Sequence, residues 1–424
     1  MRGLAGIAAR SAWNRRLTLS LVVGSIALAT LLLLTFDRVR ADVREGFAQS
    51  VSGTDLVVGA RTGPVQLMLY AVFHLGGATN DIRMASVKAI AAHPAVDWVV
   101  PLSLGDSHRG FPVLGTTPDY FTRFHYGDGE ALVLRQGRAF SGTLDGLYEA
   151  VIGAEVAQAL GYGLGHPVVL SHGSETLHGA EHADKPFTVV GILARTGTPV
   201  DRTVHVSLGA VEAIHIDWAG GAPLPGVHIG AAVARKFDLA PRHATAVLVG
   251  LKRRTAAFAV QRWIADFRDE PLMAVLPGVA LDELWAVVGI GEKLLYGLSA
   301  MVAVVSLTGL VAVVLAGLNE RRRELAVLRA VGAGPRHVLL LLAAEGALIT
   351  LAGAALGALA TIVLVALAAP AIQSRFGITL TLAPPAASQY LLLAGVIATG
   401  LAASLLPGWR AYRLSLADGL SPRT

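Results

Sequence analysis

The tract SHGSETLHGAEHADKPF, Ser171 to Phe187, gathers His172, His178, Glu181, His182 and Asp184 into one short stretch. Imidazole and carboxylate donors suit zinc and similar divalent ions. His178 and His182, four positions apart, would face the same way on one helical turn. His172, His178, His182 and Asp184 are therefore the candidate metal ligands, with zinc the expected ion and the reporting or gating of cargo its expected role. The spacing matches no closed zinc motif and HExxH is absent, so an exposed hairpin loop with histidine as polar filler is the competing reading. Asp201 to His205, DRTVH, follows closely and offers either a further ligand or a cap for the next strand.

A second stretch has a different chemistry. NERRRELAVLRAVGAGPRH, Asn319 to His337, puts five arginines and two glutamates between two almost wholly apolar runs. Leu325, Leu328 and Val331 recur at spacings of three while Arg321, Arg322 and Arg329 form a charged face, the pattern of an amphipathic helix lying on a membrane surface. Gly332, Gly334 and Pro335 then break it. Arginines beside lipid headgroups can serve topology alone. Glu320 and Glu324 point further, because a surface that docks in register on another protein uses both signs of charge.

The elements that must position these residues follow from composition. A chain of 424 residues that is 54% hydrophobic and only 15% charged belongs in a membrane. Four windows approach the roughly 20 apolar residues needed to span one. Leu17 to Phe36 and Leu294 to Leu318 are uncharged, Val338 to Ala369 carries only Glu345, and Tyr390 to Pro407 closes the set. The first is longer than a signal-peptide core and lacks a convincing cleavage site, so it is expected to be an uncleaved anchor. Arg2, Arg10, Arg15 and Arg16 precede the first window, and Arg410, Arg413 and Arg423 follow the last. With the arginine-rich loop, these segments are expected on the cytoplasmic side of a bacterial inner membrane.

The expected fold is an α-helical membrane protein with four transmembrane helices plus a large mixed α/β extracytoplasmic domain inserted between helices 1 and 2. In residue numbers, 1–36 holds the cytoplasmic N-terminus and helix 1, and 37–293 the outer domain. Helix 2 is expected at 294–318, the cytoplasmic helix at 319–337 and helix 3 at 338–369. A short external loop takes 370–389, and helix 4 with a cytoplasmic C-terminus takes 390–424. The net charge of +5 then reports topology and calls for no nucleic acid. Within the third span, Gly353 and Gly357 form a small-xxx-small step suited to close helix approach. Glu345 is expected to play a structural, interhelical part. The outer domain contains no cysteine, so it relies on a packed core. DLVVGA (Asp55–Ala60), DWVVPL (Asp97–Leu102), FTVVGIL (Phe187–Leu193) and TAVLVGL (Thr245–Leu251) read as strands, whereas Ala85–Ala92 and Thr255–Phe267 read as helices.

ERRRELAVLRAVGA, Glu320 to Ala333, resembles the signature loop of the FtsX/MacB-type ABC transporter permeases. SAWNRRLTLSLVVGSIALA (Ser11–Ala29) resembles that family's entry to its first span. GTDLVVGARTGPVQLML (Gly53–Leu69), GRAF (Gly137–Phe140) and AVIGAEVAQALGYGLGHPVVL (Ala150–Leu170) resemble its periplasmic domain. LLPGWRAYRLSLADGL (Leu405–Leu420) resembles its C-terminal exit, although Gly408 stands where alanine is more usual. The resemblance implies a non-enzymatic permease subunit that transmits ATP-driven motion to its periplasmic domain, for export, extraction or mechanotransmission. Its partners would be a cytoplasmic ABC ATPase dimer, which binds ATP and magnesium, a second permease copy, and a periplasmic partner or cargo protein. The coupling residues implied are Glu320, Arg321, Arg323, Glu324, Leu325, Leu328, Arg329, Val331 and Gly332. No Gly-Lys pair, and hence no phosphate-binding loop, occurs in the sequence, and the segment before the first span is short, as in stand-alone permeases. The alternatives are a membrane-anchored receptor or metal-binding sensor without ATP coupling, and a metal hydrolase, for which no nucleophile or base constellation is recognisable.

Overall fold

The computed structural model describes residues 16–77, 80–172, 181–219, 222–224, 226–320, 327, 332–376, 380–381 and 384–413. Along the chain come α1 (Arg16–Gln49), β1 (Leu56–Ala60), α2 (Pro64–Ala71), α3 (Met84–Ala91), β2 (Val96–His108) and β3 (Phe111–Thr116). Next are β4 (Leu134–Gly137), β5 (Glu149–Ile152), α4 (Ala154–Leu160), β6 (Pro167–Val168), β7 (Ser171–His172), β8 (Phe187–Leu193), β9 (Val204–Ser207) and α5 (Leu208–His215). The chain continues through β10 (Ala246–Leu251), α6 (Ala257–Ala265) and β11 (Leu272–Val275) to α7 (Pro277–Glu320), α8 (Pro335–Phe376) and α9 (Ala387–Arg413). Two compact units result. One contains Met1–Asp42, Gly289–Ala371 and Leu380–Thr424, and the other Val43–Val288 with Ile372–Thr379. The expected fold class is the one observed: among the described residues four helices are long and apolar enough to cross a membrane, with a mixed α/β domain between the first and second.

The inserted domain is built on an eleven-stranded sheet of order β11-β1-β10-β2-β3-β9-β5-β8-β4, with β7 added to β2 and β6 to β8. The pairs β5–β8 and β3–β9 are parallel. All five residues of β1 are buried because both faces are covered. Val57 joins the core made by Leu67, Met68 and Tyr70 of α2, while Leu56 and Val58 join Val87 and Ile90 of α3 and Val260 and Ile264 of α6. The valine-rich runs read from the sequence are β1, β2, β8 and β10, and the two helical runs are α3 and α6.

A third core fixes α5. Ala210, Ala213 and Ile214 pack with Val113, Ile152, Val204 and Val206, and the Ser207 hydroxyl caps the helix by accepting the Ala210 N–H. This anchoring leaves His215 as the last residue of α5. On β2 the register with β3 shifts between Leu104 and Ser107, where Gly105 has a φ of +151°, a backbone conformation that favours glycine. Within the irregularity, Asp106 pairs with His172 of β7.

In the helical unit, Val22 and Ile26 of α1, Leu310 and Val314 of α7, and Val338, Leu342 and Ile349 of α8 share one apolar cluster. Leu298, Val305, Leu348, Leu359 and Leu391 are exposed, the surface a bilayer would cover. Glycine sets how closely the helices approach. A Cβ on Gly353 would stand 2.7 Å from Ile26 Cβ, and one on Gly357 would stand 2.6 Å from the Ala27 carbonyl oxygen. On another stretch of the same helix Gly346 meets Ser404, and Gly400 of α9 meets Thr350. Ser25 donates to Ser306 at 2.8 Å, joining α1 to α7. Near the end of the first apolar window, Tyr296 and Ser388 both donate to the Asp37 carboxylate, at 2.7 and 2.8 Å. Arg38 donates to the Thr381 carbonyl at 2.6 Å, and Asp42 accepts the Thr381 N–H at 3.0 Å. α8 carries on through Pro370.

Gly357→Leu should lower the thermal midpoint of the detergent-solubilised chain, at an overpacking cost of about 1–3 kcal/mol, because the obstructing atom belongs to a backbone. Gly395→Ala, with nothing within 4 Å of the added carbon, should not lower the midpoint. Equal midpoints for wild type and Gly357→Leu would contradict the close α1–α8 approach.

Candidate functional site

The histidine tract enters the inserted domain from β7. Ser171 bridges Glu181, so the chain returns to the side of β7 at Glu181. Residues 173–180, and with them His178, lie outside the described residues. His172 meets two groups distant in sequence: its Nδ1 is 3.1 Å from Asp106 Oδ1 and 3.1 Å from His215 Nε2. His215 Nε2 and Asp106 Oδ1 are 3.4 Å apart. The three donor atoms therefore form a nearly equilateral triangle. His215 Nδ1 donates to the Val211 carbonyl at 2.9 Å, which orients the ring and turns Nε2 to the other two groups.

Electrostatics keeps this cluster anionic at Asp106. Burial pushes the Asp106 pKa up, but hydrogen bonds from His172 and His215 with their charges outweigh it and hold the carboxyl down at about 2. For His215 burial works downward, and Asp106 more than compensates, so the pKa is raised. His182 is only 1% exposed, with its ring 5.1 Å from His215 and 4.5 Å from Trp218. Among the described residues neither of its ring nitrogens has a hydrogen-bond partner. Burial first, and then His215, lowers its pKa to about 4, so the ring is neutral near pH 7. A buried ring of this kind is no exposed filler.

Asp184 goes elsewhere. It forms a second group with Asp217 and His228, but Lys185 already supplies a cation there. The fully buried Lys185 ammonium is 2.8 Å from Asp217 and 3.2 Å from Asp184. Burial raises the Asp217 pKa, whereas bonds from Lys185 and the Ile229 N–H lower it further, so the carboxylate stays ionised. His205 is a core residue: its Nδ1 lies 3.2 Å from the Val151 carbonyl and its ring packs on Tyr120 and Phe121. The Asp201 carboxylate accepts from the Thr196 and Gly197 N–H groups, both at 2.8 Å, and thereby closes a turn. The spacing argument thus named His172 and His182 but had no access to Asp106, His215 or Lys185.

Of the charged stretch after the second span, Glu320 ends α7 and Val327 is helical. Gly332 has a φ of +102° and α8 begins at Pro335, so the expected break is present. Arg321, Arg323, Glu324, Leu325, Leu328, Arg329 and Val331 lie outside the described residues. Glu345 is half-buried on α8, beside Gly346 at the α9 contact.

Two family descriptions match: the MacB-like periplasmic core domain over residues 17–265 and the FtsX-like permease C-terminal domain over 296–416. The chain belongs to the FtsX/MacB permease family. The permease is similar to the periplasmic region of MacB from Actinobacillus actinomycetemcomitans, at 10% identity and a TM-score of 0.34, over 55% of this chain and 94% of that one. It is also similar to the extracellular domain of the ABC-type transporter YknZ from Gram-positive bacteria, at 13% identity and a TM-score of 0.31, over 52% of this chain and 98% of that one. No curated protein matches. Family membership makes the chain a membrane subunit of an ABC transporter, its permease component.

Lys185→Met in the permease should destabilise the inserted domain by about 3–5 kcal/mol, because it strands the buried Asp217 carboxylate without a counter-charge. Adding Asp217→Leu should recover part of that loss in chemical unfolding. Wild-type stability of Lys185→Met would show that Lys185 is not the cation of this group.

Proposed function

We infer that this permease subunit passes ATP-driven conformational change from a separate cytoplasmic ABC ATPase to its inserted domain, which lies outside the inner membrane. The observation carrying this reading is that both main passages of the chain between the two units fall inside helices, Asp42–Val43 within α1 and Val288–Gly289 within α7. α1 has 34 residues and α7 has 44. At 1.5 Å per residue they are about 50 and 65 Å long, against a hydrocarbon core of about 30 Å. A helix under axial or bending load passes on displacement that a flexible linker would absorb.

The input is proposed to be the amphipathic segment from Glu320 to Gly332. Arg321, Arg323, Glu320 and Glu324 would make charged contacts to the ATPase, Arg329 would extend that face, and Leu325, Leu328 and Val331 would pack. Both termini and this segment face the cytoplasm in the same reading, as their arginines favour. An ATPase dimer facing two permease copies is the assembly that fits, with a periplasmic protein or cargo as the recipient of the motion.

The test compares two variants in native membranes. Reversing Arg321 and Arg323 to Glu should reduce co-purification of the ATPase at least about tenfold, since misplaced like charges at an interface cost several kcal/mol. Inserting Gly-Gly after Asp42 should leave co-purification intact while abolishing transport-coupled activity. Full coupling in the first variant would leave the arginines a topogenic cluster, and full coupling in the second would remove α1 as the transmitter.

A further inference from the structure

We propose that Asp106 Oδ1, His172 Nδ1 and His215 Nε2 form a binding site for a divalent transition-metal ion of the zinc type in the inserted domain, beside the buried ring of His182. The proposal is independent of ATP coupling. Its first support is metric. A tetrahedral ion with bonds of about 2.0–2.1 Å holds its donors about 3.3–3.4 Å apart. The three separations here are 3.1, 3.1 and 3.4 Å. Such an ion would sit about 1 Å out of the donor plane and keep a fourth position for water, a cargo group or another imidazole.

The second support is the orientation of His215. The Val211 carbonyl takes the Nδ1 proton of His215, so Nε2 is the ring nitrogen turned to the Asp106 carboxylate and the one free to bind a metal ion. A proton on His172 Nδ1, 3.1 Å from both, can bridge these acceptors, and a metal ion in its place would bind all three atoms at once. His182 supplies a third, separate observation. It is 1% exposed, adjoins His215, and leaves both ring nitrogens without a partner among the described residues. Buried polar atoms in folded proteins rarely go unsatisfied unless a ligand completes them.

The ligand class follows from the donor set. Two imidazole nitrogens with one carboxylate favour zinc, cobalt, nickel or copper over calcium or magnesium, which take oxygen. Access exists, because the His172 and His215 side chains are 36% and 27% exposed while Asp106 is 5% exposed. The ion would tie β2, β7 and the end of α5, and so pin the base of the histidine tract to the sheet.

The full-length chain, purified in detergent without a histidine tag, would be titrated with zinc chloride by calorimetry and with cobalt by visible absorption. Expected are stoichiometric binding, the intense d–d bands of tetrahedral cobalt and a zinc-dependent rise in thermal midpoint. His215→Ala and His172→Ala should each weaken zinc binding by at least about tenfold, the smallest loss seen when only a supporting group around a metal is removed. Asp184→Asn, which belongs to the Lys185 group, should bind like wild type. Midpoints in EDTA show whether each variant is folded, and the more exposed His172→Ala carries the test if His215→Ala is not. Undiminished binding by a folded His172→Ala variant, or no binding by wild type beyond weak surface association, would overturn the site.

Discussion

A backbone in lipid has to satisfy its own hydrogen bonds, which confines it to helices, and in this chain the helical requirement extends past the apolar windows. α1 remains helical to Gln49 and α7 is helical from Pro277, so the residues that leave the bundle do so without a loop. An inserted domain attached in this way has two helical leads and a core of its own.

The bundle meets the demand for close packing with glycine and small hydroxyl residues, because apolar side chains gain little from one another when the solvent is lipid. Gly353 and Gly357 admit α1, while Gly346 and Gly400 bring α8 and α9 together. Near the end of the first apolar window the glue changes to charge: Asp37, Arg38 and Asp42 are all buried, and each has partners on or beside other helices. Each buried charge there would be costly alone; satisfied in a network, it specifies which helix faces are neighbours.

The sequence made the spans, the valine-rich strands and the glycine step of α8 legible because each is a local pattern with a fixed period. Asp106 and His215 were not legible as a pair with His172. Their meeting depends on an irregularity in β2 at Gly105, on the register that sets His172 opposite Asp106, and on the length of α5, none of which a spacing rule contains. Asp184 shows the converse. Proximity in sequence grouped it with the histidines, whereas the neighbouring Lys185 turns it toward Asp217. The charged stretch from Arg321 to Val331 was legible as a motif, and its reading still rests on residue types.

The most direct test of transmission is a distance measured in the working complex. The absence of native cysteine allows spin labels at Val133→Cys in the inserted domain and Leu391→Cys at the start of α9, both exposed positions. Pulsed electron resonance would then compare the permease with its ATPase in nucleotide-free, ATP-bound and vanadate-trapped states. Transmission predicts distance distributions that shift with the nucleotide state. Identical distributions in all three states, with the ATPase turning over, would contradict it.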